Sequence, residues 1–193
     1  MLSDNQRPAN PLSAALAWIE RILAALASIA LGAIMLVVVA DVTMRYIFGA
    51  PLSWSYGMIG LYLMVAVFFF ALSDTLHNHG HIAIDIFQHR LPHRLRHLSL
   101  ALGYGLSTIV MALIAWQAWL RFKTAWLHDD RIAAIIPWPT WIAYAIVATG
   151  CAVMTLRCLY RTFGHTASGL TGRNLVEVPP PPVTEIPARE HVE

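Results

Sequence analysis

Charged residues are scarce in this chain. Asp, Glu, Lys and Arg make up only 12% of its 193 residues, whereas 58% of the residues are apolar. A typical soluble domain has about 25% charged and about 45–50% apolar residues. The shortage excludes an ordinary soluble globule, and it excludes an intrinsically disordered chain, which needs the opposite balance. An integral membrane protein is the class that remains.

Cysteine is almost absent, and so is a strong net charge. The two cysteines, Cys151 and Cys158, fall on one predicted helix, about 10 Å apart along its axis, which exceeds the reach of a disulfide. The formal net charge of +2 is too balanced for nucleic-acid binding, which needs a concentrated basic face. The sequence has no phosphate-binding glycine loop, and no cofactor motif lies near the adjacent carboxylates Asp129 and Asp130. We therefore expect neither an enzyme nor a bound cofactor or metal.

Four long stretches contain no charge at all. They are Ile22–Ala40, Tyr46–Ser73, Leu98–Leu120 and Ile132–Leu156. Each can supply the roughly 20 residues that cross a bilayer core, and a helix satisfies its own backbone in hydrocarbon. The sequence therefore predicts an all-α integral membrane protein with four transmembrane helices. We place them at about residues 20–43, 56–76, 97–123 and 138–161, in a membrane domain of residues 1–163 that precedes a proline-rich, disordered tail of residues 164–193.

Lysine and arginine are divided unequally between the two ends of these spans. With four spans, the N-terminal segment, the second connection and the tail share one side, and they hold nine basic residues against four in the other two connections. Because basic residues accumulate on the cytoplasmic side, we expect both termini to be cytoplasmic. Five tryptophans fall at the opposite boundary, as expected of an outer aromatic belt: Trp54, Trp119, Trp126, Trp138 and Trp141.

Asp41 and Arg45 stand four residues apart at the outer end of the first predicted helix. This spacing places them on one face, with the acid N-terminal to the base. Charges near a membrane core are costly, so they usually pair or serve a function. We expect a structural ion pair, with contact to a partner subunit or a coupling role in transport as the alternatives.

The second connection is rich in histidine. His77, His79 and His81 alternate before Asp85, but such a set converges on one metal ion only in an extended segment, so hydrogen-bonding and interfacial roles are favoured. Residues Ile82–His97 then mix apolar residues with histidine and arginine, which is typical of an interfacial helix that meets anionic headgroups. A plain cytoplasmic loop is the alternative.

Short motifs on the connections form a recognisable set. Arg45-Tyr46-Ile47-Phe48 is followed by Pro51-Leu52-Ser53-Trp54, and His81-Ile82-Ala83-Ile84-Asp85 is followed by Leu91-Pro92-His93-Arg94-Leu95-Arg96. Pro139-Thr140-Trp141 comes before the fourth predicted helix. In this order, the motifs resemble those of the small membrane subunit of tripartite ATP-independent periplasmic (TRAP) transporters, over roughly residues 15–162.

The chain departs from this pattern at three positions. Such proteins often carry one or two glutamates just after the tryptophan, where this chain has Tyr56 and Gly57. They also often carry an arginine four residues before the motif histidine, where this chain has His77. The resemblance therefore leaves the contacts of these three positions open.

The resemblance implies a non-catalytic subunit in the bacterial inner membrane. In this family a soluble periplasmic protein captures an organic acid, and a large membrane subunit moves it with the sodium gradient. The small subunit packs beside the large one in the lipid bilayer. The residues to which the resemblance points are structural or interface candidates: Asp41, Arg45, Pro51, Trp54, His81 and Asp85. By hypothesis, Asp41 and Arg45 pin the outer end of helix one, Trp54 anchors the hairpin at the outer interface, and His81 and Asp85 fix the inner turn.

The uncharged stretches themselves also indicate a helper subunit. Their only amide side chain is that of Gln117, whereas a self-sufficient carrier is expected to have a polar ion site near the bilayer midplane. A standalone oligomeric transporter or channel is one alternative. A second is the membrane anchor of a respiratory complex, which would need axial histidines for haem inside the spans. The nine histidines fall instead in connections, at span ends or in the tail.

Overall fold

The computed structural model describes residues 11–77, 92–133 and 136–171. Within these ranges the chain forms five α-helices: α1 (Pro11–Phe48), α2 (Ser55–Met58), α3 (Met64–His77), α4 (His93–Leu127) and α5 (Trp141–Thr171). A π-helical turn, Ile59–Leu63, joins α2 to α3, so that these elements run on as one span. The same ranges contain no β-strand, and one isolated bridge pairs Arg131 with Pro139.

Four helical segments are long and apolar enough to cross a membrane. They are Ser13–Phe48, Ser55–Leu76, Leu95–Leu127 and Trp141–Thr171. The prediction of an all-α integral membrane protein with four transmembrane helices is therefore confirmed. At about 1.5 Å per residue, the 36 residues of the first segment reach well beyond a hydrocarbon core of about 30 Å.

The helices are longer than the hydropathy pattern indicates. Helix α1 begins at Pro11 rather than near residue 20, and α5 continues to Thr171, past its predicted end at residue 161. Residues 164–171, which the sequence assigns to the tail, thus belong to α5, because His165 and Ser168 are buried against the bundle. The rest of the predicted tail, and residues 82–91 of the predicted interfacial helix, lie outside the described residues.

A glycine ends α1. Gly49 has a φ of +64°, in the left-handed region that glycine occupies at little steric cost. The next backbone N–H, that of Ala50, donates a hydrogen bond back to the Met44 carbonyl at 3.2 Å. The chain therefore turns sharply after α1 and returns at once through α2.

The bundle consists of two packed helix pairs, α1 with α3 and α4 with α5, which contact each other through α3 and α5. Helices α4 and α5 pack along their length. Helices α3 and α5 approach each other closely at Gly150, where an added Cβ would clash with the Phe69 carbonyl oxygen. The buried apolar cluster combines Leu76 of α3 with Met154 and Cys158 of α5. Large apolar side chains on the outward faces stay exposed, as lipid-facing surfaces require.

Candidate functional site

Asp41 ties the end of α1 to the turn before α2. Its Oδ1 accepts a hydrogen bond from the Leu52 backbone N–H at 2.8 Å, and its Oδ2 accepts one from Arg45 Nη2 at 2.8 Å. The hydroxyl of Ser55, which is itself buried, donates to the Leu52 carbonyl at 2.8 Å. Leu52 is thus held through both its amide and its carbonyl. We call these residues, together with Tyr56, the hairpin junction.

The ion pair that the spacing predicts is present, but it is asymmetric. The side chain of Asp41 is 8% exposed and that of Arg45 is 44% exposed. The Asp41 carboxylate therefore accepts its hydrogen bonds inside the fold, and the Arg45 guanidinium lies between it and the surface. Most of the stabilisation should come from the buried backbone contact of Asp41, because an exposed ion pair contributes only about 0–1 kcal/mol.

Tyr56 supplies a contact where the family pattern often has a glutamate. Arg45 Nη2 donates a second hydrogen bond to the Tyr56 hydroxyl at 3.0 Å. A neutral phenol here leaves Asp41 as the one carboxylate that Arg45 contacts in the hairpin junction. The cavity beside these residues measures about 240 Å³. It is smaller than the roughly 300–1,000 Å³ of small-molecule pockets, so the site is better suited to holding the hairpin than to binding a ligand.

Gly57 makes room for an indole ring. A Cβ on residue 57 would lie 2.8 Å from Trp138 Nε1. The same indole packs edge-to-face on Tyr62, with ring centroids 5.7 Å apart, and the Tyr62 hydroxyl donates to the Pro139 carbonyl at 2.6 Å. The second span is therefore locked to the segment before α5 by contacts that a side chain at position 57 would obstruct.

The remaining predicted site residues are only partly placed. Pro51 is exposed in the turn after α1, and Trp54 is half-buried directly before α2, where its carbonyl accepts a hydrogen bond from the Met58 N–H at 3.1 Å. His81 and Asp85 lie outside the described residues. Their proposed roles at the inner turn remain predictions.

The five predicted belt tryptophans fall into separate groups. Trp126 and Trp141 make an edge-to-face contact at 4.7 Å, and Phe122 links both of them to Trp119. Trp138 packs instead on Tyr62, as described above. The aromatic residues between α4 and α5 therefore form one continuous cluster at the α4 C-terminus.

A buried ion pair joins the first and last helices. Arg157 Nε donates to Glu20 Oε1 at 2.7 Å, and Arg157 Nη2 donates to Glu20 Oε2. The Ser73 hydroxyl donates to the same Glu20 Oε1 at 2.5 Å. Glu20 is fully buried and Arg157 is 2% exposed. We call these three residues, from α1, α3 and α5, the three-helix junction.

The sequence missed this junction. Glu20 and Arg157 lie just beyond the ends of two uncharged stretches, where the charge pattern indicates flanking residues, yet both side chains are buried between the helices. The sequence does contain one indication of the junction. Glu20 comes before the first uncharged stretch and Arg157 comes after the fourth, so the four-span prediction places both on the same side of the membrane. Sequence order alone could not show which acid faces which base.

A second polar cluster lies between α4 and α5. The Arg161 Nη1 atom donates to the Tyr104 hydroxyl at 2.8 Å, and Tyr104 stacks on His165 with centroids 5.5 Å apart. The Nδ1 atoms of His165 and His97 are 3.1 Å apart, and both rings are fully buried. His165 therefore lies in α5 rather than in the predicted tail, whereas His97 lies near the start of α4, at the span end to which the sequence assigns it.

The sequence matches the family model of the DctQ component of tripartite ATP-independent periplasmic transporters over residues 34–167. The chain belongs to this family. It is also 30% identical over 156 residues to the C4-dicarboxylate TRAP transporter small permease protein DctQ of Vibrio cholerae serotype O1. That alignment covers 67% of this chain and 64% of the relative, so the chain spans less than two thirds of the relative's length. The resemblance seen in the motifs is confirmed.

The region that matches the family model covers the two sites unequally. It includes the whole hairpin junction, from Asp41 to Tyr56, and it includes Ser73 and Arg157. Glu20 precedes its first residue. The three-helix junction therefore connects the family region to a part of α1 that lies outside the match.

Proposed function

We propose that this chain is the small membrane subunit of a sodium-coupled TRAP transporter. It supports a large transport subunit during uptake of an organic acid that a periplasmic binding protein delivers. C4-dicarboxylates are the first substrate class to test, because the Vibrio cholerae relative carries that name. The proposal also places the chain in the inner membrane as a multi-pass protein, without an enzymatic activity of its own.

The engagement of the buried charges carries this proposal. In the described ranges the buried charged residues are Glu20, Asp41, Arg157 and Arg161. Each takes part in a contact within the bundle: Glu20 with Arg157, Asp41 with Arg45 and Leu52, and Arg161 with Tyr104. A transport site must leave polar groups accessible to an ion or an acid near the bilayer midplane. Charged side chains that are paired within the bundle instead favour the role of a fixed scaffold.

The proposed orientation has both termini in the cytoplasm. The basic residues are divided nine to four in favour of that side. In this orientation the hairpin junction and the aromatic cluster of α4 and α5 lie at the outer interface, and the three-helix junction lies in the inner half. Trp54 then anchors the hairpin at the outer headgroups, and His81 and Asp85 act at the inner turn.

The test is uptake in cells that carry the large subunit and the binding protein, with and without this chain. We expect accumulation of a radiolabelled C4-dicarboxylate to require this chain and to stop when the sodium gradient is collapsed. The same cells should yield the large subunit when a tagged version of this chain is purified. Uptake that continues unchanged without the chain would contradict the proposal.

Two variants test the structural roles within the complex. We expect Arg45→Ala and Asp85→Ala to reduce uptake only as far as they reduce assembly with the large subunit. Loss of uptake in a fully assembled complex would instead assign these residues a part in coupling. Transport by the chain alone in sealed vesicles would support the standalone transporter or channel.

A further inference from the structure

An apolar groove runs between α4 and α5 beside the aromatic cluster. It encloses about 670 Å³, within the roughly 300–1,000 Å³ of ligand sites. Alanines of both helices form part of its lining, among them Ala115 and Ala152, and Trp116 and Trp119 line it from α4. The small residues keep the groove open, and the large rings bound it.

The two threonines that line the groove use their hydroxyls within α5. The hydroxyl of Thr149 donates to the Ala145 carbonyl at 2.7 Å, and that of Thr155 donates to the Cys151 carbonyl at 2.7 Å. Both hydroxyls are therefore satisfied by their own helix. The surface offered to an occupant is almost entirely hydrocarbon and aromatic carbon, which suits an acyl chain.

A cation stands beside this groove. The Nζ of Lys123 lies over the ring of Trp119, 5.5 Å from its centroid, and Trp119 lines the groove. Trp119 also stacks on Phe122, which belongs to the aromatic cluster at the α4 C-terminus. Such aromatic clusters and lysines are typical of the headgroup level of a membrane.

We propose that this groove binds one anionic phospholipid. Its acyl chain lies along the alanines between α4 and α5, and its phosphate contacts the Lys123 ammonium. An apolar channel that meets a cation at the interface complements the tail and the head of a phospholipid together. This charge complementarity distinguishes a lipid from an apolar helix of a partner, because such a helix has no anionic group to pair with the Lys123 ammonium. The inference is independent of the proposed transport role.

Native mass spectrometry of the full chain, purified from membranes and supplied with phosphatidylglycerol, tests the site. We expect the wild type to retain one lipid through delipidating washes. Lys123→Ala should weaken retention about fivefold, the effect expected of one cation near an anionic lipid surface. Ala152→Leu should displace the lipid, because Ala152 is exposed in the groove and the added carbons occupy its space.

Matched variants separate this site from general effects. Arg121→Ala removes an exposed cation two residues away, which does not share the face of Lys123, and Ala40→Leu enlarges an exposed alanine on α1. Both should retain lipid like the wild type, and phosphatidylcholine should be held more weakly than phosphatidylglycerol. Equal retention in all variants would overturn the proposal. So would an Ala152→Leu protein that keeps its lipid but no longer copurifies with the large subunit, since the groove would then hold a partner helix.

Discussion

Arg157 donates to both carboxylate oxygens of Glu20, across 137 residues of chain. A bidentate arginine–carboxylate pair fixes orientation as well as distance, because two parallel hydrogen bonds constrain both planar groups. The Ser73 hydroxyl adds a third bond to the same carboxylate. One carboxylate thereby sets the relative positions of the first, second and fourth spans.

Removal of one partner of this pair should be severely destabilising. Arg157→Met leaves Glu20 as an uncompensated buried charge, which typically costs about 3–5 kcal/mol. We expect a lower midpoint of thermal unfolding in detergent, measured by loss of helical circular dichroism. Arg21→Met, which removes an exposed neighbouring arginine, is the control and should change little.

The double variant Glu20→Met with Arg157→Met should recover most of that loss. Well-packed apolar residues often replace a buried ion pair at little or no cost. A double variant as unstable as Arg157→Met alone would show that the damage comes from packing rather than from the unpaired charge.

Asp41→Ala should destabilise the hairpin more than Tyr56→Phe. The first change leaves the Leu52 N–H without its acceptor, at a cost of about 1–3 kcal/mol. The second removes one hydrogen bond from a half-exposed arginine, at a cost of about 0–1 kcal/mol. Hydrogen exchange at the Leu52 amide reads out the difference directly. Equal protection of that amide in both variants would refute the backbone role assigned to Asp41.

Gly57→Ala should clash with the Trp138 indole. An added Cβ would lie 2.8 Å from Nε1, and overpacking of this kind typically costs about 1–3 kcal/mol. In a double-mutant cycle, Trp138→Ala should cancel much of the penalty, because it removes the ring that the methyl group meets. The unfolding midpoints of the four proteins give the coupling energy. A coupling near zero would mean that the indole is not the obstacle.

Gly150→Ala should separate α3 from α5. The new methyl group would clash with the Phe69 carbonyl oxygen, and a backbone atom cannot rotate away as a flexible side chain can. We expect a loss of about 1–3 kcal/mol in the free energy of unfolding. Gly32→Ala is the matched control, since its Cβ would meet nothing within 4 Å. That change should stabilise its helix by about 0.5–1 kcal/mol.

The number of spans could be predicted from the sequence because hydropathy is a local property. Uncharged runs of sufficient length identify the four crossings without any knowledge of how they pack. The helix ends were harder to place. Arg157 ends the fourth uncharged run and Arg161 follows it, yet α5 continues beyond both because their charges are engaged inside the bundle. Hydropathy treats every charge as a boundary, and it does not distinguish paired charges from solvated ones.

The hairpin junction and the three-helix junction differ in how many of their contacts could be predicted from the sequence. Asp41 and Arg45 lie four residues apart on one helix, so helical geometry alone brings them together. The contact of Asp41 with the Leu52 amide depends on the turn at Gly49, which the spacing does not specify. The partner of Glu20 depends on the packing of three helices. Contacts of that kind follow from tertiary structure, so no local pattern predicts them.

The 137-residue separation of Glu20 from Arg157 also bears on biogenesis. At about 5–20 residues per second, the ribosome needs on the order of ten seconds to synthesise Arg157 after Glu20. The second span, which carries Ser73, is made early in that interval, so its hydroxyl is the first member of the junction that the glutamate can meet. The Glu20–Arg157 ion pair can form only after α5 has been synthesised and inserted. Insertion of α5 therefore completes the contacts that hold α1 in the bundle.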